Sequence, residues 1–344
     1  MKNKRILFII LSIALISGLY NSASADVKIN IKEGVYVLPV AELASTKTNP
    51  EIIELENELI KIQLLPNRGR VLASYILKSK NWGFFFTDFV PDPMVLPGGL
   101  HSVEFGGYYF SLPWNTRDRQ PYDLSFEVKQ SGAKISEVYM SGKDMFKKTL
   151  TECWIRVRDA SPVVEVEIKI TNTSSKKPRE IDFKDYAVLS VNNLSKKGTT
   201  IQLPVESVKI KHSKDSWLGN KESTIKWTAA KSNWRNMEKF FHVTTVENPD
   251  VPCTGAYYPE ISSAFIRFWE PASFFNKIEV WSWGKNYKME KGADAYIMVS
   301  STAEKQTLQP KEHVSFKVFI TALENVGEKD TINSHYEKAK SFLN

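Results

Sequence analysis

The chain has 344 residues, 25% of them charged and 42% hydrophobic, with only 16 glycines and 16 prolines; that composition excludes collagen and low-complexity disorder. Forty-six basic residues are interspersed with 39 acidic ones and no Lys/Arg cluster stands clear of them, so there is no nucleic-acid footprint. Two cysteines cannot build a disulfide scaffold or a four-ligand zinc site.

The first element is a targeting segment. Lys2, Lys4 and Arg5 form a basic n-region, Ile6 to Leu19 an apolar run, and Ala23-Ser24-Ala25 an A-x-A site, which together predict an export signal over 1–25, cleaved after Ala25. The run falls short of the roughly 20 apolar residues of a membrane span, and no cysteine follows it to take a lipid. The expectation is a periplasmic or secreted protein with no membrane anchor after cleavage.

Beyond the signal the dominant period is two. Ile60, Ile62 and Leu64 alternate with Lys61 and Gln63, and Pro66-Asn67-Arg68-Gly69 supplies a turn ahead of Arg70. His101-Ser102-Val103-Glu104 precedes a Gly106-Gly107 turn, and Trp114-Asn115-Thr116-Arg117-Asp118-Arg119 follows it. Cys153, Ile155 and Val157 then alternate with Trp154, Arg156 and Arg158, and Val164, Val166, Ile168 and Ile170 with Glu165, Glu167 and Lys169. Such alternation marks strands with one face on a core and the other in water. A disulfide between Cys153 and Cys253 is permitted in an exported chain; two buried free thiols fit the pattern equally well.

The segment 211–239, with Trp217, Trp227 and Trp234, is less regular and reads as an overhanging loop. Trp281 and Trp283 are two apart and share one sheet face. Val314, Phe316, Val318 and Ile320 alternate again, and Ile332, Tyr336, Ala339 and Leu343 fall at helical spacing after Asp330-Thr331, which predicts a terminal helix with its cap. Many short strands with turn residues between them imply an all-β, antiparallel sandwich over 26–325, with the helical segment 326–344 packed on the same domain.

Three stretches, in this order, resemble the galactose mutarotase-like β-supersandwich proteins. The first is Asn57 to Val71, a strand ending in Pro66, a glycine turn and then Arg70. The second is Val164 to Ser174, a strand running into an Asn172-Thr173 turn; the third is Trp281-Ser282-Trp283-Gly284, followed by Ala295 to Val299 and Leu308-Gln309-Pro310. The resemblance covers residues 50 to 322 and implies a sugar-binding cleft. In aldose 1-epimerases of this superfamily it further implies a His acid and a Glu base. Here the places where those are expected fall near Asp185 and at Met298, so the usual pair is missing.

The resemblance makes Arg70 the first-strand Arg that reaches toward a sugar, while a core-edge ion pair is its plain structural alternative. Candidate proton carriers are His101, Glu104 and Asp185; candidate sugar contacts are Arg70, Trp114, Asn115, Arg117, Trp281 and Trp283. No G-x-S-x-G, P-loop or H-E-x-x-H is present, and the five histidines show no metal-ligand spacing, so neither cofactor nor metal is expected. The reading is an exported carbohydrate-recognising protein that binds a mono- or oligosaccharide without the epimerase pair. The alternatives are an atypical aldose 1-epimerase or uronate-glycan lyase on the same scaffold, and a non-catalytic structural envelope protein.

Overall fold

The computed structural model describes residues 27–33, 51–66, 69–85, 89–95, 101–111, 124–131, 134–144, 148–191, 197–282, 284 and 295–343. The period-two stretches are strands. Ile60–Leu65 buries Ile60, Ile62 and Leu64 and leaves Lys61 and Gln63 partly open, and Thr149–Arg158 and Val164–Asn172 alternate in the same way. Among the described residues the strands form two large antiparallel sheets. The twelve-stranded sheet runs in the order Lys28–Glu33, Glu51–Glu56, Ile60–Leu65, Arg70–Leu77, Gly107–Phe110, Lys184–Val191, Ala295–Ala303, Phe275–Ser282, Phe241–Thr245, Ser207–Ser213 and Thr224–Lys226, with Trp82–Gly83 pairing on Arg70–Leu77. The eight-stranded sheet runs Thr200–Gln202, Cys253–Tyr258, Ser263–Glu270, His313–Glu324, Val164–Asn172, Thr149–Arg158, Ile135–Asp144 and Ser125–Gln130.

The core lies between the two sheets. Aromatic residues fill it: Phe183, just before Lys184–Val191, meets Phe316 of the eight-stranded sheet at 4.9 Å, and Phe84, just after Trp82–Gly83, meets Tyr258 of that same sheet at 5.1 Å. Burying such rings supplies the main drive for folding. One charged pair also crosses the core. Asp185, in the large sheet, and Arg267, in the smaller one, are both fully buried, with Nη1 2.9 Å from Oδ1. Tyr108 Oη donates to Asp185 Oδ2 at 3.0 Å, the Ser301 amide to Oδ1 at 2.9 Å, and Arg267 Nη2 to Ser301 Oγ at 2.5 Å. A buried ion pair needs surrounding hydrogen bonds to offset its desolvation; these contacts supply them to Asp185 and to both ends of the guanidinium, while Arg267 Nε has no partner among the described residues.

Two buried asparagines join distant turns. Asn57 donates to the Arg158 and Ser161 carbonyls, each at 2.8 Å, and its own oxygen accepts from the Leu59 and Ile60 amides. Asn172 Nδ2 lies 3.0–3.1 Å from the carbonyls of Lys177, Leu308 and Gln309. It therefore pins the Asn-Thr turn onto the Leu-x-Pro turn some 136 residues later. At Gly107 (φ +93°) a β-carbon would sit 2.3 Å from the Leu72 carbonyl oxygen. Only glycine allows the two strands to approach there.

The terminal helix is Ile332–Lys340, capped by Thr331, whose hydroxyl accepts from the Ser334 amide. It buries Tyr336 and Ala339 against Phe268 and Phe319 of the eight-stranded sheet. The segment 211–239 is more ordered than the loop expected from sequence. It completes the strand Ser207–Ser213, adds Thr224–Lys226 and two short helical turns, Ala229–Ser232 and Trp234–Asn236, and buries Trp234 in the core. Cys153 and Cys253 are both buried and both free, which settles the choice left open by the sequence.

Candidate functional site

Parity within one strand creates the site. In Lys184–Val191, Asp185, Ala187 and Leu189 are buried beneath the sheet, so Lys184, Tyr186, Val188 and Ser190 belong to the opposite face. Cross-strand register then extends that face into rows. One row runs Tyr109, Tyr186, Ser300, Glu279, Thr244 and Lys209; the next runs Val188, Met298, Trp281, His242 and His212. His212 joins its row through a bulge between Ile210 and His212, where one extra residue shifts the register.

At the centre is a cluster of charges and rings. Lys184 Nζ donates to Glu279 Oε2. Lys277 Nζ and His242 Nε2 each lie 3.4 Å from Glu279 Oε1, inside ion-pair range but long for a hydrogen bond. The Lys184 ammonium also sits over two rings, 5.4 Å from the centroid of Tyr186 and 5.3 Å from that of Trp281, a cation–π arrangement. His242 packs on Trp281 with centroids 4.9 Å apart. Burial by itself would raise the Glu279 carboxyl. His242 first, then Lys184 and Lys277, outweigh that effect and hold it well below the usual carboxylate range. Around this cluster Ser300 Oγ, Thr244 Oγ1 and Trp281 Nε1 are buried without a hydrogen-bond partner among the described residues. Buried polar atoms left in this state are uncommon in folded proteins.

Toward the other side of the same face, Tyr109 stacks on Tyr186 with centroids 4.9 Å apart. The Arg70 guanidinium lies 3.9 Å above Tyr109, and its Nε donates to the Gly106 carbonyl at 3.1 Å. Of the residues singled out from sequence, Arg70 and Trp281 therefore lie on this face. Asp185 does not: it points into the core and is committed to Arg267, Tyr108 and Ser301. Burial pushes its carboxyl upward against the pull of Arg267. The backbone of His101 and Glu104 belongs to a two-stranded ribbon, His101–Phe105 with Phe89–Val95; their side chains lie outside the described residues, as do Trp114, Asn115, Arg117, Trp283 and the signal segment 1–25. Lys184, Glu279 and His242 were not singled out from sequence. The signal for Lys184 and Tyr186 was parity around Asp185, and for Glu279 its place two residues before Trp281. Nothing local marks His242, since only register brings it there.

Among the described residues no group of three or more His, Cys, Asp or Glu side chains is arranged to hold a metal ion, and no helix is long and apolar enough to cross a membrane. No family model matches the sequence, and neither does any curated protein. Solved structures do match in shape. A galactose mutarotase-like protein from Clostridium acetobutylicum superposes with a TM-score of 0.55 at 9% identity, covering 86% of this chain and 99% of its own. A second galactose mutarotase-like protein, from Lactobacillus casei, gives a TM-score of 0.51 at 12% identity, covering 79% and 100%. This chain has the galactose mutarotase-like fold. A TPR-domain containing protein from Parabacteroides distasonis is also similar, with a TM-score of 0.64 at 16% identity; 86% of this chain is covered, but the match spans only about half, 53%, of that protein's length.

On a galactose mutarotase-like fold, the places where the resemblance implies an acid and a base hold Asp185, which is turned inward, and Met298, which is buried beside Trp281. The carboxylate that the central strands do present on this face is Glu279, one strand away from Met298 and directly opposite Ser300. Fold likeness at these identities carries no activity with it. The chemistry open to this face has to be argued from Lys184, Glu279, His242 and Trp281 themselves.

Proposed function

We propose that the outer face of the large sheet binds a carbohydrate and that the protein is an exported carbohydrate-recognising protein. The observation that carries this reading is the cluster in which the part-exposed Tyr186 and Trp281 rings flank the Lys184–Glu279 pair, with His242 and Lys277 at the same carboxylate. A sugar ring offers an apolar face to an aromatic plate and a rim of hydroxyls to donors and acceptors at fixed positions, and this surface supplies both. Export is supported by the basic, apolar and A-x-A order of the first 25 residues.

Binding is favoured over ring-opening catalysis by the state of the carboxylate. A general base works best with a pKa near the operating pH, and Glu279 is held well below the usual range, with His242 and two lysines at its oxygens. With both oxygens already engaged it is a poor base. The test pairs two measurements. On a glycan array and by calorimetry, Trp281→Ala binds the best wild-type ligand about tenfold more weakly, or ~1.4 kcal/mol. In NMR saturation transfer at the anomeric carbon of several aldoses, wild type gives no enhancement. An enhancement lost in Glu279→Gln would establish the epimerase alternative, a new double bond formed from polyuronate the lyase, and an array without hits the structural envelope protein.

A further inference from the structure

Resting on that carbohydrate reading, we infer that the ligand is an extended glycan lying across the strands rather than a free monosaccharide. The reason is the length of the built surface. Tyr186, Trp281, His242 and His212 share one face on strands separated by four inter-strand steps, Lys184–Val191 to Ser207–Ser213, with Ala295–Ala303, Phe275–Ser282 and Phe241–Thr245 between. At the usual strand spacing these side chains span about 19 Å across the sheet. A single pyranose covers only a fraction of it.

The surface is also built along its length and not at one end. Rings recur across it: Trp281 with His242 at 4.9 Å, and beyond them His212 with Phe240 at 5.2 Å. Accessible polar side chains are spread in the same way, on four different strands: Lys184, Lys277, His242 and His212. A monosaccharide held at Lys184 and Glu279 would leave His212 and Phe240 out of contact. The bulge that turns His212 onto this face argues against that, because a regular strand would have placed Lys211 there instead. His212 is exposed and its removal does not threaten the core.

The experiment is a length series. The full chain is titrated by calorimetry with cello-, xylo-, chito- and galacturono-oligosaccharides from one to six units. In at least one series affinity rises by about tenfold or more between one and four units and then levels off. His212→Ala lowers the affinity for the tetrasaccharide about threefold to tenfold and leaves that for the monosaccharide unchanged. If the monosaccharide binds as tightly as its longer homologues, the extended ligand is overturned while carbohydrate binding stands. If no member of any series binds, carbohydrate recognition falls and this inference with it. A loss in His212→Ala equal for one and four units also overturns it.

Discussion

Lys184 and Asp185 are adjacent in the chain and do opposite work: one holds a carboxylate on the open face, the other an arginine in the core. Glu279 shows how strongly the open face conditions its groups. Its carboxyl is depressed in the folded protein by His242, Lys184 and Lys277 in spite of burial, so it contributes stability above its unfolded pKa of about 4.3, and that contribution is lost as pH falls through the lower folded value. Lys184 and Lys277 are partly solvated, at 19% and 43% exposure, so screening trims the effect. Glu279→Gln is expected to cost on the order of 1 kcal/mol at pH 7. In chemical denaturation followed from pH 7 to pH 3, the gap between variant and wild type narrows below about pH 4; a constant gap would mean that the carboxylate's charge adds nothing to folding.

At the scale of elements, the terminal helix carries its own titrating group. His335 is 1% exposed, and its Nδ1 lies 2.8 Å from Gln202 Oε1 on the eight-stranded sheet. Burial lowers its pKa, with Lys338 acting in the same sense and Asp330 in the opposite one. A histidine favoured neutral in the folded state contributes stability above its unfolded pKa of about 6.5 and loses it as pH falls below that. Hydrogen exchange should show less protection for Ile332–Lys340 at pH 5.5 than at pH 7.5, relative to the large sheet. In His335→Gln that difference should vanish.

Elements were the most legible part of the chain. Ile60–Leu65, Thr149–Arg158, Val164–Asn172 and the Thr331-capped helix each follow from periodicity and cap residues, which are local properties. The order of the segment 211–239 is not legible in the sequence, because Thr224–Lys226 is three residues long and too short to show a period, and because Trp234 is buried by tertiary packing. The site was half legible. Arg70 and Trp281 are marked by turn and aromatic motifs beside them, whereas the Lys184–Glu279 contact joins residues 95 apart. His242 and His212 meet only through register and a bulge.

For the whole molecule, the two sheets share one aromatic core, and both cysteines are sealed in or beside it. Burial pushes the Cys153 and Cys253 thiols well above the ordinary range, and a thiol reacts as its thiolate. Native protein is expected to leave Ellman's reagent unreacted and to release two equivalents only after denaturation. Adding reductant leaves the melting temperature unchanged; a shift of several degrees would point to a cross-link absent from this architecture.

The alternation along Lys184–Val191 has a practical corollary for anyone redesigning specificity. Lys184, Tyr186 and Ser190 of that strand can be randomised in a directed-evolution library aimed at new ligands, while buried Val188 and the odd-numbered positions, among them Asp185 of the rivet between the sheets, need to be held constant. A library that ignores this parity would spend most of its diversity on clones that never reach the selection.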